Sequence, residues 1–323
     1  MFAMGLTEFG DPETLQPLYV PRPSPLPTEI LVRVRATGVN PIDWHTRRGA
    51  PTPVAATLDG SGPFVLGWDV SGVVEEVGAG VHLFEPGDEV YGLPWFPRLA
   101  GANAEFVCAP SRQFARKPRT LDHVHAAAVP LAALTAWQAL TESAQVQRGE
   151  KVLIHAAGGG VGHMAVQLAR HLGAHVIATA RSEKHEWLRS LGADETIDYT
   201  VERFEEIVTD ADVVLDLVGD KDDTTVRSIS ALRAGGTLVL IAPTSAGDIH
   251  ERGLHANVNV TPAILVEPDG HQLAEIARII DHGKLRIHVE KAFPLSDAAE
   301  AHRLGEGGRT TGKIVLEATP VPV

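Results

Sequence analysis

A glycine run set between an apolar strand and an amphipathic helix constrains this chain more than any other feature. His155-Ala156-Ala157-Gly158-Gly159-Gly160-Val161-Gly162-His163 follows Lys151-Val152-Leu153-Ile154, which reads as a buried strand. It opens a pattern in which Val161, Ala165, Leu168, Ala169 and Leu172 fall on one helix face. The spacing is Ala157-x-Gly159-x-x-Gly162, with alanine in place of the first glycine of a dinucleotide fingerprint. Glycines let the backbone turn tightly and approach a pyrophosphate, and a helix N-terminus offers N–H groups and a positive dipole end. A second apolar strand, Ala174–Ala180, arrives at the distance that a strand–helix–strand unit requires. Gly159, Gly160 and Val161 are therefore the expected phosphate cradle. The competing reading is an ordinary turn between strand and helix.

The end of the second strand indicates which dinucleotide. In NAD-binding folds an acidic residue about 20 positions past the motif holds the adenosine ribose. Nineteen residues beyond Gly162 stands Arg181, and Thr179-Ala180-Arg181-Ser182 contains no Asp or Glu. A guanidinium there suits a 2′-phosphate, so NADP(H) is the expected cofactor. Ser182 and Lys184 are further contacts for that phosphate. Ser182 also reads as the N-cap of a helix running to Gly192.

Around this unit the periodicity changes along the chain. Residues 1–124 are β-rich: Glu29–Ala36 alternates apolar and charged positions, and Val70–Val77 and Ala104–Ala109 read as further strands. From about Ala126 strands and helices alternate, which signals a doubly wound parallel sheet. Its expected strands are 151–156, 174–180, 195–198, 212–218 and 237–242, and its expected helices 162–172, 183–191 and 222–234, the last stopped by Gly235-Gly236. A further helix is expected at 270–282, and 287–323 returns to strands. Ligands bind outside the carboxyl ends of such strands. That places Leu217 and Val218, and Ile241, Ala242 and Pro243, beside the cofactor. Leu254–Val260 alternates as a strand.

Composition narrows the partners. A net charge of −13 argues against a nucleic-acid or anionic-membrane surface. A single cysteine, Cys108, excludes an intramolecular disulfide and a cysteine-rich zinc site. Met1–Gly10 lacks the basic start and apolar run of a signal peptide, and Ala126–Leu134 is too short to span a bilayer. The expectation is a cytoplasmic enzyme with a small-molecule substrate.

Several separate motifs then agree. Thr7-Glu8-Phe9-Gly10, Gly38-Val39-Asn40-Pro41-Ile42-Asp43, Leu66 to Val74, Pro86-Gly87-Asp88-Glu89-Val90-Tyr91-Gly92, Ala156–Gly162 and Gly312-Lys313-Ile314-Val315 occur in one order. With them the chain resembles the medium-chain dehydrogenase/reductase superfamily, and most of all its zinc-free quinone oxidoreductase branch. The resemblance implies an α/β fold: a GroES-like β-rich barrel domain from 1–124 and 287–323, and a Rossmann NADP-binding domain with a doubly wound parallel sheet at 125–286. Zinc-dependent relatives carry a cysteine at the position of Asn40, a His-Glu pair at Trp68-Asp69 and another ligand near Leu131. The residues standing here do not make a three-ligand catalytic site.

The implied reaction is hydride transfer from NADPH to a quinone or an α,β-unsaturated carbonyl. Negative charge develops on the acceptor oxygen, and a donor should meet it. Asn40 is the first candidate donor, with a loop-capping role before Pro41 as its alternative. Tyr91 is the second, with a packed barrel position as its alternative. Trp44, Trp68, Trp95 and Phe96 lie in segments that the family places at the substrate pocket. Thr135 resembles the residue beside the nicotinamide ribose or carboxamide, and Tyr199 one that stacks on the adenine or touches the 2′-phosphate. The resemblance also implies a homodimer, paired through the edge Leu254–Val260. The alternatives are an enoyl-thioester reductase, with Arg47-Arg48 and the basic run from Arg112 to Arg119 at its entry, and a non-catalytic NADPH-binding redox sensor.

Overall fold

The computed structural model describes residues 1–54, 62–242 and 245–318. Pro243 and residues 319–323 of the expected barrel segment lie outside the described residues. Contacts divide the chain into two units: 1–134 with 267–283 and 287–323, and 135–266 with 284–286. Helix Gly270–Asp281 thus belongs to the first unit, although the sequence reading carried it within 125–286. The reason lies in its contacts: the Leu273 carbonyl accepts from the Tyr91 hydroxyl, and the Asp281 carboxylate from Thr120.

The first unit is built on β-sheet. Its larger sheet runs in the order Val289–Pro294, Lys313–Glu317, Glu29–Val39, Val70–Val77, Glu89–Gly92, Phe114–Arg116, with Phe106–Pro110 also paired to Glu29–Val39. All its pairs are antiparallel except Val289–Pro294 with Lys313–Glu317. The long strand Glu29–Val39 is buried for most of its length, and the alternation of its first part gives way to four successive buried residues at Ala36–Val39. Ile314 stands opposite Val39. That register brings Lys313, from the far end of the chain, beside Asn40. A helix that the sequence reading missed, Ala298–Glu306, lies between the last two strands.

The second unit is a six-stranded sheet in the order Glu195–Asp198, His175–Ala180, Lys151–Ile154, Ala211–Asp216, Leu232–Leu240, Asn259–Val260, with every pairing parallel. The first strand in sequence is central and the order reverses beside it, so a topological switch point lies between Lys151–Ile154 and Ala211–Asp216. Leu153, Val214 and Leu238 are buried in its core.

Three local expectations are corrected. Gly235-Gly236 does not stop the preceding helix, which ends at Ala231; both glycines lie inside the strand Leu232–Leu240. The pairing there jumps from Ala211↔Leu232 to Val213↔Thr237, and Gly235 has φ +77°, as expected at a bulge. Leu254–Val260 is not one strand: helix Ile249–His255 occupies its start and only Asn259–Val260 pairs. Asn257, at φ +56°, turns the chain between them. Ser182 does not cap with its side chain; it begins a 3-10 turn that leads into helix His185–Leu191.

Candidate active-site elements

The glycine turn follows from its contacts. Ala156 takes a left-handed φ of +46°. A Cβ on Gly162 would stand 2.4 Å from the Ala156 carbonyl oxygen and 2.7 Å from the Ala157 Cα. Only glycine lets the helix start this close to the turn. Helix Gly162–Leu172 then runs to Gly173, whose φ of +90° closes it with a left-handed cap. Gly159, Gly160 and Val161 are half-buried, so the turn keeps an open side.

The expected 2′-phosphate corner also comes together. Arg181 is exposed at the end of strand His175–Ala180, and its Nε donates to the Tyr199 hydroxyl at 3.3 Å. Tyr199 is 44% exposed. Lys184 lies across the glycine turn: a Cβ on Gly158 would stand 2.6 Å from its Cδ. The Ser182 backbone N–H donates to Asp198 at 3.0 Å. Hydrogen bonds, first from the Thr200 hydroxyl, hold the Asp198 carboxyl down to about 2, so it is charged. At the switch point, Asp216 shapes the strand end. Its Oδ1 accepts from Val218 and Gly219 N–H, its Oδ2 from the Thr225 hydroxyl, and its carbonyl from Ile241 and Ala242. Leu217, Val218, Ile241 and Ala242 are half-buried beside it. Thr135, on helix Pro130–Gln138, is 6% exposed. His155 is buried between the Thr179 and Ser228 hydroxyls, and burial pushes its imidazole down to about 4.

In the first unit a closed polar network surrounds Asn40. Its Nδ2 donates to Asp69 Oδ2 at 2.8 Å and, at the long distance of 3.4 Å, to the Gly38 carbonyl. Its Oδ1 accepts from Lys313 Nζ. The ammonium also reaches the Val39 carbonyl at 3.2 Å and Asp69 Oδ2 at 3.3 Å. Asp69 Oδ1 accepts the Leu131 N–H at 2.7 Å. Asp43, on helix Pro41–Arg47, takes the Asn40 N–H at 2.7 Å and the Gly67 N–H at 3.1 Å. A Cβ on Gly38 would stand 2.5 Å from Asp69 Oδ2, so glycine is needed for the close approach. All four polar side chains are at most 4% exposed. Burial pushes the Asp43 carboxyl up to about 7 against its hydrogen bonds, with the Asp69 charge adding to the rise. Burial raises Asp69 as well, opposed chiefly by Lys313.

This network corrects the sequence reading. Asn40 has both amide hydrogens and its oxygen engaged inside the protein, so it has no proton to offer an acceptor. Tyr91 is fully buried, and its hydroxyl donates to the Leu273 carbonyl at 2.5 Å, so it is a packed residue. Trp68 is fully buried with its indole N–H on the Arg98 carbonyl, and Phe96 meets it edge-on; this pair is core. Trp44 and Trp95 are half-buried and keep exposed surface. In the sequence Lys313 stands only within the motif Gly312-Lys313-Ile314-Val315. Its place in the network depends on a strand pairing that no local pattern reveals.

Two families match parts of the chain. A zinc-binding dehydrogenase family matches residues 191–316, and an alcohol dehydrogenase GroES-like domain matches 26–119. A 2-haloacrylate reductase of a Burkholderia species is 36% identical over 91% of this chain and 92% of its own. The solved quinone oxidoreductase of Coxiella burnetii is 37% identical, covers 99% of both chains and superposes with a TM-score of 0.91. The mycobacterial protein Rv1454c, solved with NADPH, is 34% identical over 98% of this chain and 100% of its own, with a TM-score of 0.85. The chain belongs to the medium-chain dehydrogenase/reductase superfamily. Within it, its relatives include quinone and NAD(P)H oxidoreductases, and this chain is an oxidoreductase.

Zinc, which the first family's description implies, does not fit the residues present. Asn40 and Asp69, at two of the positions where zinc-dependent relatives carry ligands, are bonded to an ammonium. Among the described residues no group of three His, Cys, Asp or Glu side chains is arranged to hold a metal. No helix among them is long and apolar enough to cross a membrane.

Proposed function

We propose that this protein is a zinc-independent oxidoreductase that uses NADPH to reduce a quinone or an α,β-unsaturated carbonyl. The observation that carries the proposal is the Lys313 ammonium bonded between Asn40 and Asp69. A dication placed there would have to displace a buried cation and break a saturated network. Alcohol oxidation in this fold relies on a metal to polarise the oxygen, so its lack favours an acceptor that is already electron-poor. The quinone oxidoreductase and haloacrylate reductase relatives support this substrate class.

NADP(H), when bound, supplies the hydride. The chain's residues bind and orient it. Gly159, Gly160 and Val161 hold the pyrophosphate at the helix N-terminus. Arg181, Tyr199, Lys184 and Ser182 take the 2′-phosphate, with Arg181 supplying the charge-assisted bonds. Thr135, Leu217, Val218, Ile241 and Ala242 line the nicotinamide side. Trp44 and Trp95 keep surface for a flat acceptor. With Asn40 and Tyr91 engaged elsewhere, the acceptor oxygen takes its proton from solvent. A cytoplasmic homodimer paired through the edge strand Asn259–Val260 completes the reading, and size-exclusion chromatography tests it.

The deciding experiment is oxidation of NADPH and NADH by chelator-treated protein against a panel of quinones and enones. Turnover that survives chelation and prefers NADPH is expected. NADPH binding without turnover on any acceptor would favour a redox sensor.

A further inference from the structure

The Gly159 carbonyl accepts two hydrogen bonds from one residue, the backbone N–H of His163 at 3.2 Å and its Nδ1 at 2.9 Å. A carbonyl only accepts, so Nδ1 carries the hydrogen, as it does in one neutral tautomer and in the imidazolium alike. The ring is fully buried and lies at 25° to that of Trp187, with centroids 6.0 Å apart. It is held at an edge and on a face. In a trans peptide the C=O and the next N–H point in opposite directions. With the Gly159 carbonyl drawn into the first turn of helix Gly162–Leu172, the Gly160 N–H faces away from that helix. Neither Gly160 nor Val161 donates its N–H to a backbone carbonyl among the described residues. A peptide between two glycines has no side chain to fix its plane, so the plane must be fixed by a neighbour.

We infer that His163 is a positioning residue for the cofactor pyrophosphate: by holding the Gly159 carbonyl it sets the Gly159–Gly160 peptide so that the Gly160 N–H is presented to a phosphate oxygen. This rests on the dinucleotide reading given above. His163 touches no cofactor atom itself, and because Nδ1 keeps its hydrogen in both charge states, the role needs no titration.

The test compares two ligands on the full-length protein: NADPH, and 2′-AMP, which carries the adenosine and the 2′-phosphate without a pyrophosphate. His163→Leu removes the donor and keeps most of the volume. Its Kd for NADPH is expected to rise about five- to ten-fold, with that for 2′-AMP unchanged. His163→Gln is expected to recover most of the loss. In the same helix Gln167 Nε2 already donates to the carbonyl four residues back, at 2.9 Å, so a glutamine at 163 can reach Gly159. Equal losses for both ligands would overturn the inference by showing general damage. So would an unmoved NADPH affinity, or a glutamine variant as weak as the leucine one. Wild-type protein that bound neither ligand would overturn the cofactor reading and this inference with it.

Discussion

The Asn40 network and the Arg181 corner are both polar clusters, yet their chemistry is opposite. Around Asn40 every amide, carboxylate and ammonium atom described finds a partner within the protein, and the cluster is almost wholly buried. At Arg181 the guanidinium is exposed and its contact to Tyr199 is a single long one. A saturated buried network holds a fold and leaves nothing for a ligand, since each further bond would break an existing one. An unsaturated, exposed cation contributes little to stability and is available for recognition. The polarity that sequence reading marks as catalytic at Asn40 is therefore engaged within the fold, whereas the surface arginine stays available to a ligand.

The comparison breaks most sharply at Lys313. Lys313→Met leaves the Asp69 carboxylate buried without its cation and is expected to cost about 3–5 kcal/mol in urea unfolding. Adding Asp69→Asn should return part of that loss. A loss under about 1 kcal/mol from Lys313→Met would show that the network does not hold the fold.

Arg181→Asp is the counterpart. It is expected to raise the Kd for NADPH about ten- to a hundred-fold and leave NADH binding nearly unchanged. Stability should move by no more than about 0.5 kcal/mol. An equal loss for both nucleotides would remove the 2′-phosphate from the reading of this corner.

The effect that is smallest at neutral pH sharpens the comparison, because His302 is buried but unsaturated. Neither ring nitrogen has a partner among the described residues, and burial, with the nearby Arg47 charge, pushes the imidazole down to about 3. The unfolded chain takes up that proton near pH 6.5. Stability from this group is therefore complete above pH 6.5 and is lost as pH falls towards 3. His302→Leu should make the acid limb of the stability profile shallower by up to about 1.4 kcal/mol per pH unit between those values. His155 retains its own contribution in the same direction. An unchanged acid limb would mean that His302 is already protonated in the folded protein.

Elements whose signal is local were legible in the sequence. Helix Gly162–Leu172 and strand Val70–Val77 stand where their periodicity put them, because apolar spacing and glycine caps act over a few residues. Helix Ala298–Glu306 was missed because its inner face is Ala298, Ala301, His302 and Gly305, small or polar residues that give no apolar stripe. Gly235-Gly236 misled because the same dipeptide serves a helix stop and a strand bulge, and only the partner strand decides which. Spacing alone places the glycine turn between strand Lys151–Ile154 and helix Gly162–Leu172, and Arg181 at the end of strand His175–Ala180. The engagement of Asn40 was not, since the lysine that occupies it lies 273 residues away.

That separation governs how the chain can be made. A ribosome delivers Asn40, Asp43 and Asp69 long before Lys313 emerges, so the nascent first unit carries acidic side chains destined for burial with no counter-charge to bury them. The parallel sheet of the second unit has its last strand by Val260 and can close earlier. Vectorial synthesis therefore favours a half-formed product whose amino-terminal part waits for the final strand. A message truncated just before the Lys313 codon would yield a chain with an intact nucleotide fold and an amino-terminal unit exposed to chaperones and proteases.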